Sequence, residues 1–484
     1  MFGNCGESDL RGTWSRMRRA FLFSTALVAA GLCAANASAE TIGGALVKAY
    51  LNNPSINEQR ATVRASDEVI PKTQAQKLPT VSAAGSAGTS DIKLDLPASP
   101  GVFGSTNPPS TEYLNTKPRN YGVTVSQTLY DGGRINNSVS QAESAVLGAR
   151  EQLRNTVQNV LLQGLTYYMD TLRDTALVGL QKNNVSVLTE QLRQTRDRFN
   201  VGELTRTDVA QAEAALAGAQ AQELTAESTL ANSIANYRQA IGEEPRRLAP
   251  VAPISKQLPK TVNEAVAISQ VEHPAIIAQL HGIDAAELQI KVNEGALLPT
   301  LGVQGQVQQL YEPSGYGAGS HMVAGTVIAQ LNIPIFDGGA TYAGIRQAKE
   351  QLGAQELATD SQRDQVRAAV VSAWGANLNS SGVVKAAKAQ VDANEVALVG
   401  VREEAKVGQR TTLDVLNAEL AVLTARVQLV TAEHDQVVAS YSLLSAIGRL
   451  STGNLGLKVE EYDPRIHFNQ VKTKVFGTEI PDGK

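Results

Sequence analysis

Two short stretches place hydroxyl, carboxylate and guanidinium groups at spacings that could do work. The first runs Val201-Gly202-Glu203-Leu204-Thr205-Arg206-Thr207-Asp208. The second runs Val407-Gly408-Gln409-Arg410-Thr411-Thr412-Leu413-Asp414, with Asn417 shortly after. Thr205-x-x-Asp208 and Thr411-x-x-Asp414 fit a helix capping box, in which hydroxyl and carboxylate satisfy the first free N–H groups and the carboxylate meets the positive end of the helix dipole. The spacing leaves open whether these aspartates are caps alone. Gly202 and Gly408 suit the left-handed position that ends a helix, and a turn so fixed is also a surface against which a partner could dock. Arg410 stands apart. Position 410 minus 206 is 204, which holds Leu204, so Arg410 is either a solvated arginine or a group with a task of its own.

Catalytic chemistry has little to stand on. The five histidines, His273, His281, His321, His434 and His467, are scattered without zinc-ligand spacing. There is no GxxxxGK[ST] phosphate loop and no GxSxG elbow. Cys5 and Cys33, the two cysteines, both fall within a leader-like N-terminus. The reading is therefore of a protein without enzymatic activity, metal or cofactor. A net charge of −4 with no basic block argues against nucleic acid as a partner.

The elements that position these groups come in two copies. Asp337 minus Asp131, Gly408 minus Gly202, Asp414 minus Asp208, Glu419 minus Glu213 and Gly448 minus Gly242 all equal 206. A constant offset marks an ungapped internal duplication. In each copy a helix is followed by strand, loop, strand, a very long helix, a Val-Gly turn and a return helix. The proline-free run after Asp131-Gly132-Gly133 predicts a helix of roughly 70 residues, ~105 Å long at 1.5 Å per residue. Its narrow, alanine-rich apolar stripe must lie against other helices along its length. The expected organisation is a signal peptide over 1–39, a first repeat over 40–242, a linker over 243–260, a second repeat over 261–450 and a polar, irregular tail over 451–484, with the last twenty or so residues poorly ordered. The first repeat holds strands 79–94 and 119–131 and helices 132–201 and 205–241. The second holds strands 299–311 and 321–336 and helices 338–407 and 411–448. The segment 95–118, rich in proline, serine and asparagine, is read as a loop. The leader has Arg16, Arg18 and Arg19 before an apolar run and Ala37-Ser38-Ala39 as a cleavage site, with Met17 as an alternative start to Met1.

The strands have the length a tilted membrane strand needs, and they alternate apolar with small or polar residues. They fit either a small soluble sheet or part of a membrane barrel. Four strands cannot close a barrel, and lipid tolerates no open edge, so in a membrane several chains would have to share one.

The duplicated strand–DGG–helix–VG–turn–helix pattern, above all Val201 to Val209 and Val407 to Leu416, resembles the TolC family of outer-membrane channel components, over residues 40 to about 450. The resemblance implies a mainly α chain with a membrane β portion. Three chains share a twelve-stranded barrel, four strands each, that a tunnel of α-helical hairpins continues into the periplasm. It implies an outer-membrane exit duct for efflux or type I secretion, passing drugs, small toxic compounds or proteins received from an inner-membrane pump through a periplasmic membrane-fusion adaptor. It also implies an iris-like gate at the tips: Arg410 matches an arginine that bonds the Thr-Asp pair of the other tip, here Thr207 and Asp208. Asp414 matches the first of two entrance aspartates. The second is Asn417 here, and the tyrosine that the family prototype uses three residues before the glycine is Ala405. Val201, Gly202, Val407 and Gly408 would be the adaptor-docking turns. A soluble periplasmic coiled-coil adaptor or scaffold is the alternative that the helices alone would permit.

Overall fold

A computed structural model describes residues 39–100, 106–313 and 319–481. The expected signal peptide lies outside the described residues apart from Ala39. The chain begins with α1 (Ile42–Asn52), α2 (Pro54–Asp67) and α3 (Val69–Gln74). Strands β1 (Thr80–Ala87), β2 (Ser90–Leu96), β3 (Ser99–Pro100), β4 (Thr106–Asn107), β5 (Ser110–Thr116) and β6 (Arg119–Tyr130) follow, then α4 (Arg134–Asn200) and α5 (Arg206–Ile241). The second repeat holds α6 (Val262–Glu272), α7 (Pro274–Gly295), β7 (Thr300–Tyr311), β8 (His321–Asn332), α8 (Ala340–Lys406) and α9 (Thr412–Ala446); α10 (Pro464–Val471) comes last.

The duplication is physical as well as textual. Helices α4 and α8 each have 67 residues, about 100 Å. Each begins after a DGG turn whose two glycines have positive φ. The Asp131 carboxylate accepts the N–H groups of Gly133 and Ile135, and Asp337 accepts those of Gly339 and Thr341. At Gly132 a side chain would be impossible, because a Cβ would lie 2.3 Å from the Gly295 carbonyl oxygen. By length and composition α9 could cross a membrane, but its apolar side chains Val415, Val422, Val437 and Leu444 are buried within the bundle.

The four long strands form one antiparallel sheet in the order β1-β6-β7-β8. Residues directly opposite share a face. One face carries Val81, Val125, Gly305 and Val327 in one row and Ala83, Val123, Val307 and Gly325 in the next. The other carries Ser82, Thr124, Gln306 and Thr326 in one row, and Ala84, Gly122, Gln308 and Ala324 in the next. One face is thus apolar, the other small and amide-rich. Strands β1 and β8 leave both edges of the sheet open.

Three expectations need correction. The 95–118 segment is not a plain loop: β2 pairs with β5 from Ser90↔Thr116 to Leu96↔Ser110, and β3 with β4, so the first hairpin projects beyond the sheet as a ribbon. Four of its five prolines, Pro97, Pro108, Pro109 and Pro118, lie between the strands, where no ladder donor is needed, and the fifth, Pro100, is the last residue of the two-residue β3. The strand expected to reach residue 336 ends at Asn332, since Pro334 has no N–H to donate. The C-terminal segment is docked. His467 and Asp67 are both buried, with Nδ1 and Oδ2 3.1 Å apart, and Arg150 adds a contact to Asp67 at 3.4 Å. The 243–260 linker is also attached, through Glu40 paired with Leu248 and through Val251, Ile254 and Leu258 against the main core. That core lies mid-way along the long helices, where Leu46, Leu161, Tyr168, Tyr237, Ile276 and Leu444 meet.

Candidate functional site at the hairpin tips

Each tip is built from backbone geometry that the sequence dictates. Gly202 (φ +82°) and Gly408 (φ +80°) take the left-handed position after α4 and α8. The Gly202 N–H donates to the Phe199 carbonyl and the Glu203 N–H to the Arg198 carbonyl, both at 2.9 Å. Gly408 to Ala405 (3.2 Å) and Gln409 to Glu404 (2.9 Å) repeat this. These paired bonds satisfy the last free carbonyls of each helix. The return helices open with complete capping boxes. Asp208 accepts the Thr205 N–H at 2.9 Å and its hydroxyl at 2.7 Å, and Asp414 accepts both from Thr411 at 2.9 Å. Hydrogen bonds from Thr205 hold the Asp208 carboxyl below the usual carboxylate range, and those from Thr411 do the same for Asp414.

The tips differ in a charge brace that crosses each turn. In the first, Arg198 Nε meets Glu203 Oε2 at 2.9 Å. In the second, Glu404 occupies the position equivalent to Arg198 (404 minus 206 is 198), and Arg410 Nε donates to it at 2.8 Å. The polarity is reversed, and Arg410 supplies the cation that the reversal requires. The same bond to Glu404 raises the arginine's affinity for its proton.

Within one chain the structure does not bring Arg410 to Thr207 or Asp208. Leu416 packs on Leu188 and Ala219. Leu416 is 4 positions past Thr412, the start of α9, whereas Leu188 is 12 before Asn200, the end of α4. The second tip therefore meets the first hairpin about 8 residues, ~12 Å, short of its end. Thr207 is exposed, with its hydroxyl unengaged among the described residues. Val201 and Val407 are both 72% exposed, far more than a core valine.

Above the tips, α4, α5 and α9 enclose a groove of about 620 Å³ lined by Leu188, Ala215, Gly218, Leu416, Asn417 and Leu420. Asn417 thus faces the space between the hairpins. Sequence reasoning missed a repeated inter-helix ion pair: Arg196 with Glu213 at 2.6 Å, and Arg402 with Glu419 at 2.8 Å. The signal was present, since both pairs have arginine 17 positions before glutamate and share the 206 offset. In the second pair Glu419 is buried at the groove, and its Oε2 has no hydrogen-bond partner. Among the described residues, no group of three or more His, Cys, Asp or Glu side chains is placed to hold a metal ion.

The family model described as outer membrane efflux protein matches residues 45–243 and 267–449, which hold both capped hairpins and the open-edged sheet. The chain belongs to the outer membrane efflux protein family. It is 41% identical over 448 residues, covering 93% of this chain and 94% of the other, to the outer membrane efflux protein BepC of Brucella suis. It is 25% identical over 344 residues, 69% and 70% of the two chains, to the alkaline protease secretion protein AprF of Pseudomonas aeruginosa. The Campylobacter jejuni CmeC outer membrane channel has the same fold, with a TM-score of 0.71 at 16% identity over 89% of each chain. The TolC-family resemblance therefore holds. The sheet of this efflux-family chain belongs in the outer membrane and its helical hairpins in the periplasm, and a soluble adaptor is not favoured.

Proposed function

We propose that three copies form a passive exit duct that completes a three-part export machine, with a periplasmic membrane-fusion adaptor and an inner-membrane pump supplying cargo and energy. The observation that carries this reading is the sheet: one apolar face, one amide and hydroxyl face, and two unpaired edges. Lipid cannot accept those edges. Twelve strands from three chains would close them, with Gln304, Gln306 and Gln308 lining the lumen. The apolar groove between the hairpins suits the apolar face of an adaptor helix. The exposed Val-Gly turns extend the same surface.

The gate belongs to this proposal. Because Arg410 is held by Glu404 in its own chain, a closing contact with Thr207 and Asp208 would run to a neighbouring chain at the constriction. Adaptor engagement would then shift the population of tips outward. Planar-bilayer conductance of the purified protein, with its mass measured in detergent, tests the reading. A trimer with small, discrete conductance is expected; a monomer without channels would overturn it.

A further inference from the structure

We infer that the outer rim of the sheet's apolar face binds a phosphorylated, acylated lipid of the outer leaflet. This rests on the apolar face meeting lipid, as the family's place in the outer membrane requires. The end of the sheet remote from the long helices carries one row, Ala87, Arg119, Tyr311 and His321, on that face. The Arg119 guanidinium lies 5.7 Å from the centre of the Tyr311 ring. Tyr311 in turn contacts Tyr121 and His321, with ring centres 6.1 and 6.4 Å away. The Tyr121 hydroxyl donates to Gln309 Oε1 (3.2 Å), and Gln309 Nε2 to the Tyr311 hydroxyl (3.0 Å). Aromatic rings at this depth belong to the headgroup boundary. Arg119 adds an exposed cation with no carboxylate within salt-bridge distance among the described residues. The nearby acid Glu312 feels the Arg119 charge but lies beyond salt-bridge distance, and both its carboxylate oxygens are engaged, by the Lys117 N–H at 2.8 Å and the Gly319 N–H at 3.2 Å. A planar guanidinium backed by an aromatic ring, with hydroxyl and imidazole groups alongside, suits a phosphate oxygen fork.

A second observation extends the site toward the membrane interior. Beneath this row lies a shallow depression of about 540 Å³, lined on the same face by Ala83, Gly85, Tyr121, Val123, Val307 and Val323. The small residues Ala83 and Gly85 leave it open beside taller neighbours. On this face its lining is apolar apart from the Tyr121 hydroxyl and the Gln309 amide at its upper end, and it runs down from the cation as an acyl chain hangs from a headgroup. Cation and depression together point to one amphiphile with a phosphate at its head.

The test uses the full-length protein in detergent, with mixed micelles containing lipid A or its dephosphorylated form, and lipid retention read by native mass spectrometry. Phosphorylated lipid A should be retained about tenfold better, in keeping with a charge-assisted contact. Arg119→Gln should erase that preference, whereas Lys182→Gln, on the periplasmic hairpin, should keep it. Gly85→Leu should fill the depression and lower retention of both lipids; a Cβ at Gly85 meets nothing nearer than 3.7 Å, so the fold should tolerate it. Equal retention of the two lipids by the wild type, or an unchanged preference in Arg119→Gln, would overturn the site. Conductance measured on the same preparations separates this failure from failure of the duct: channels without lipid preference remove only the lipid site, and absence of channels removes both.

Discussion

Arg410 and Thr207 divide the roles that the tip chemistry could play. Arg410 braces its own turn through Glu404, and the Thr207 hydroxyl makes no hydrogen bond among the described residues, so substitutions at Arg410, Glu404 and Thr207 report on different contacts. If Arg410 latches onto a neighbouring first tip, Arg410→Ser and Thr207→Val should each raise open-channel occupancy in planar bilayers, by roughly fivefold for a coupling of ordinary size. Glu404→Gln should not. If the brace alone matters, Glu404→Gln will match Arg410→Ser and Thr207→Val will be silent, which would remove the latch. The capping carboxylates give a pH signature at the same scale. The Asp208 and Asp414 carboxyls are held below their usual 3.8, so their stabilising contribution is present above that value. It is lost as pH falls through the lower, folded-state value. Pepsin cleavage near Phe199 and Leu413 should therefore stay slow at about pH 4.5 and accelerate well below 3.8, beyond the protease's own pH response measured on an uncapped peptide. Equal acceleration of the two substrates would show that the caps do not hold the tips.

At the scale of elements, the join between hairpins is where titration reaches the fold. His434 on α9 is buried, with Nε2 3.0 Å from Asp170 on α4 and Nδ1 2.9 Å from its neighbour Asp435. The Asp170 contact is an ion pair rather than an aligned hydrogen bond, since Nε2 has no partner at hydrogen-bonding angles. Arg173, itself on Asp170 and Asp174, faces the same cluster, and Ser233 of α5 donates to Asp174. Burial works to lower the imidazole's pKa, but the Asp170 and Asp435 carboxylates outweigh it and the net shift is upward from 6.5. A raised value means stabilisation that is fully present below 6.5 and lost as pH rises through the folded-state value. The midpoint of urea unfolding should thus fall between about pH 6 and pH 8.5 in the wild type and flatten in His434→Gln; an unchanged slope in the variant would assign the dependence elsewhere. The sequence showed the helices well because their signals are local: a DGG turn, a Val-Gly stop and a Thr-x-x-Asp start, each repeated at 206. It concealed the His434–Asp170 join and the His467–Asp67 contact because nothing near either residue in the chain specifies a partner hundreds of positions away. It misled at 95–118, where four of the five prolines mark the turns of a ribbon rather than the absence of strands. The reversed brace was legible in principle, as Glu404 against Arg198, but only once the turn geometry put those side chains across from their partners.

The whole molecule is governed by a mismatch between its two halves. The helical half closes its own core in one chain, around Leu161, Tyr168, Tyr237 and Leu444. The strand half cannot, since both edges of the sheet and both of its faces are left unpaired. In the proposed three-chain duct the sheet should therefore decide assembly, and its two faces should answer differently to the same charge. Val307, opposite Val123 and Gly325 on the apolar face, is 60% exposed in the single chain. In a barrel it would meet lipid near mid-depth, where an arginine costs about 2–4 kcal/mol. Three chains would each carry that cost, so Val307→Arg should abolish the trimer that survives mild heating in detergent. It should leave the helical half folded by circular dichroism, because no long helix touches that position. Gln306, one residue earlier, pairs with Thr124 and Thr326 on the other face and would line the lumen. Gln306→Lys should assemble normally and instead shift ion selectivity toward anions in planar bilayers, through a ring of three added charges. If both substitutions impair assembly alike, the faces are not distinguished by lipid and water, and the shared barrel fails. If Gln306→Lys assembles but selectivity does not move, that face does not border the conducting path.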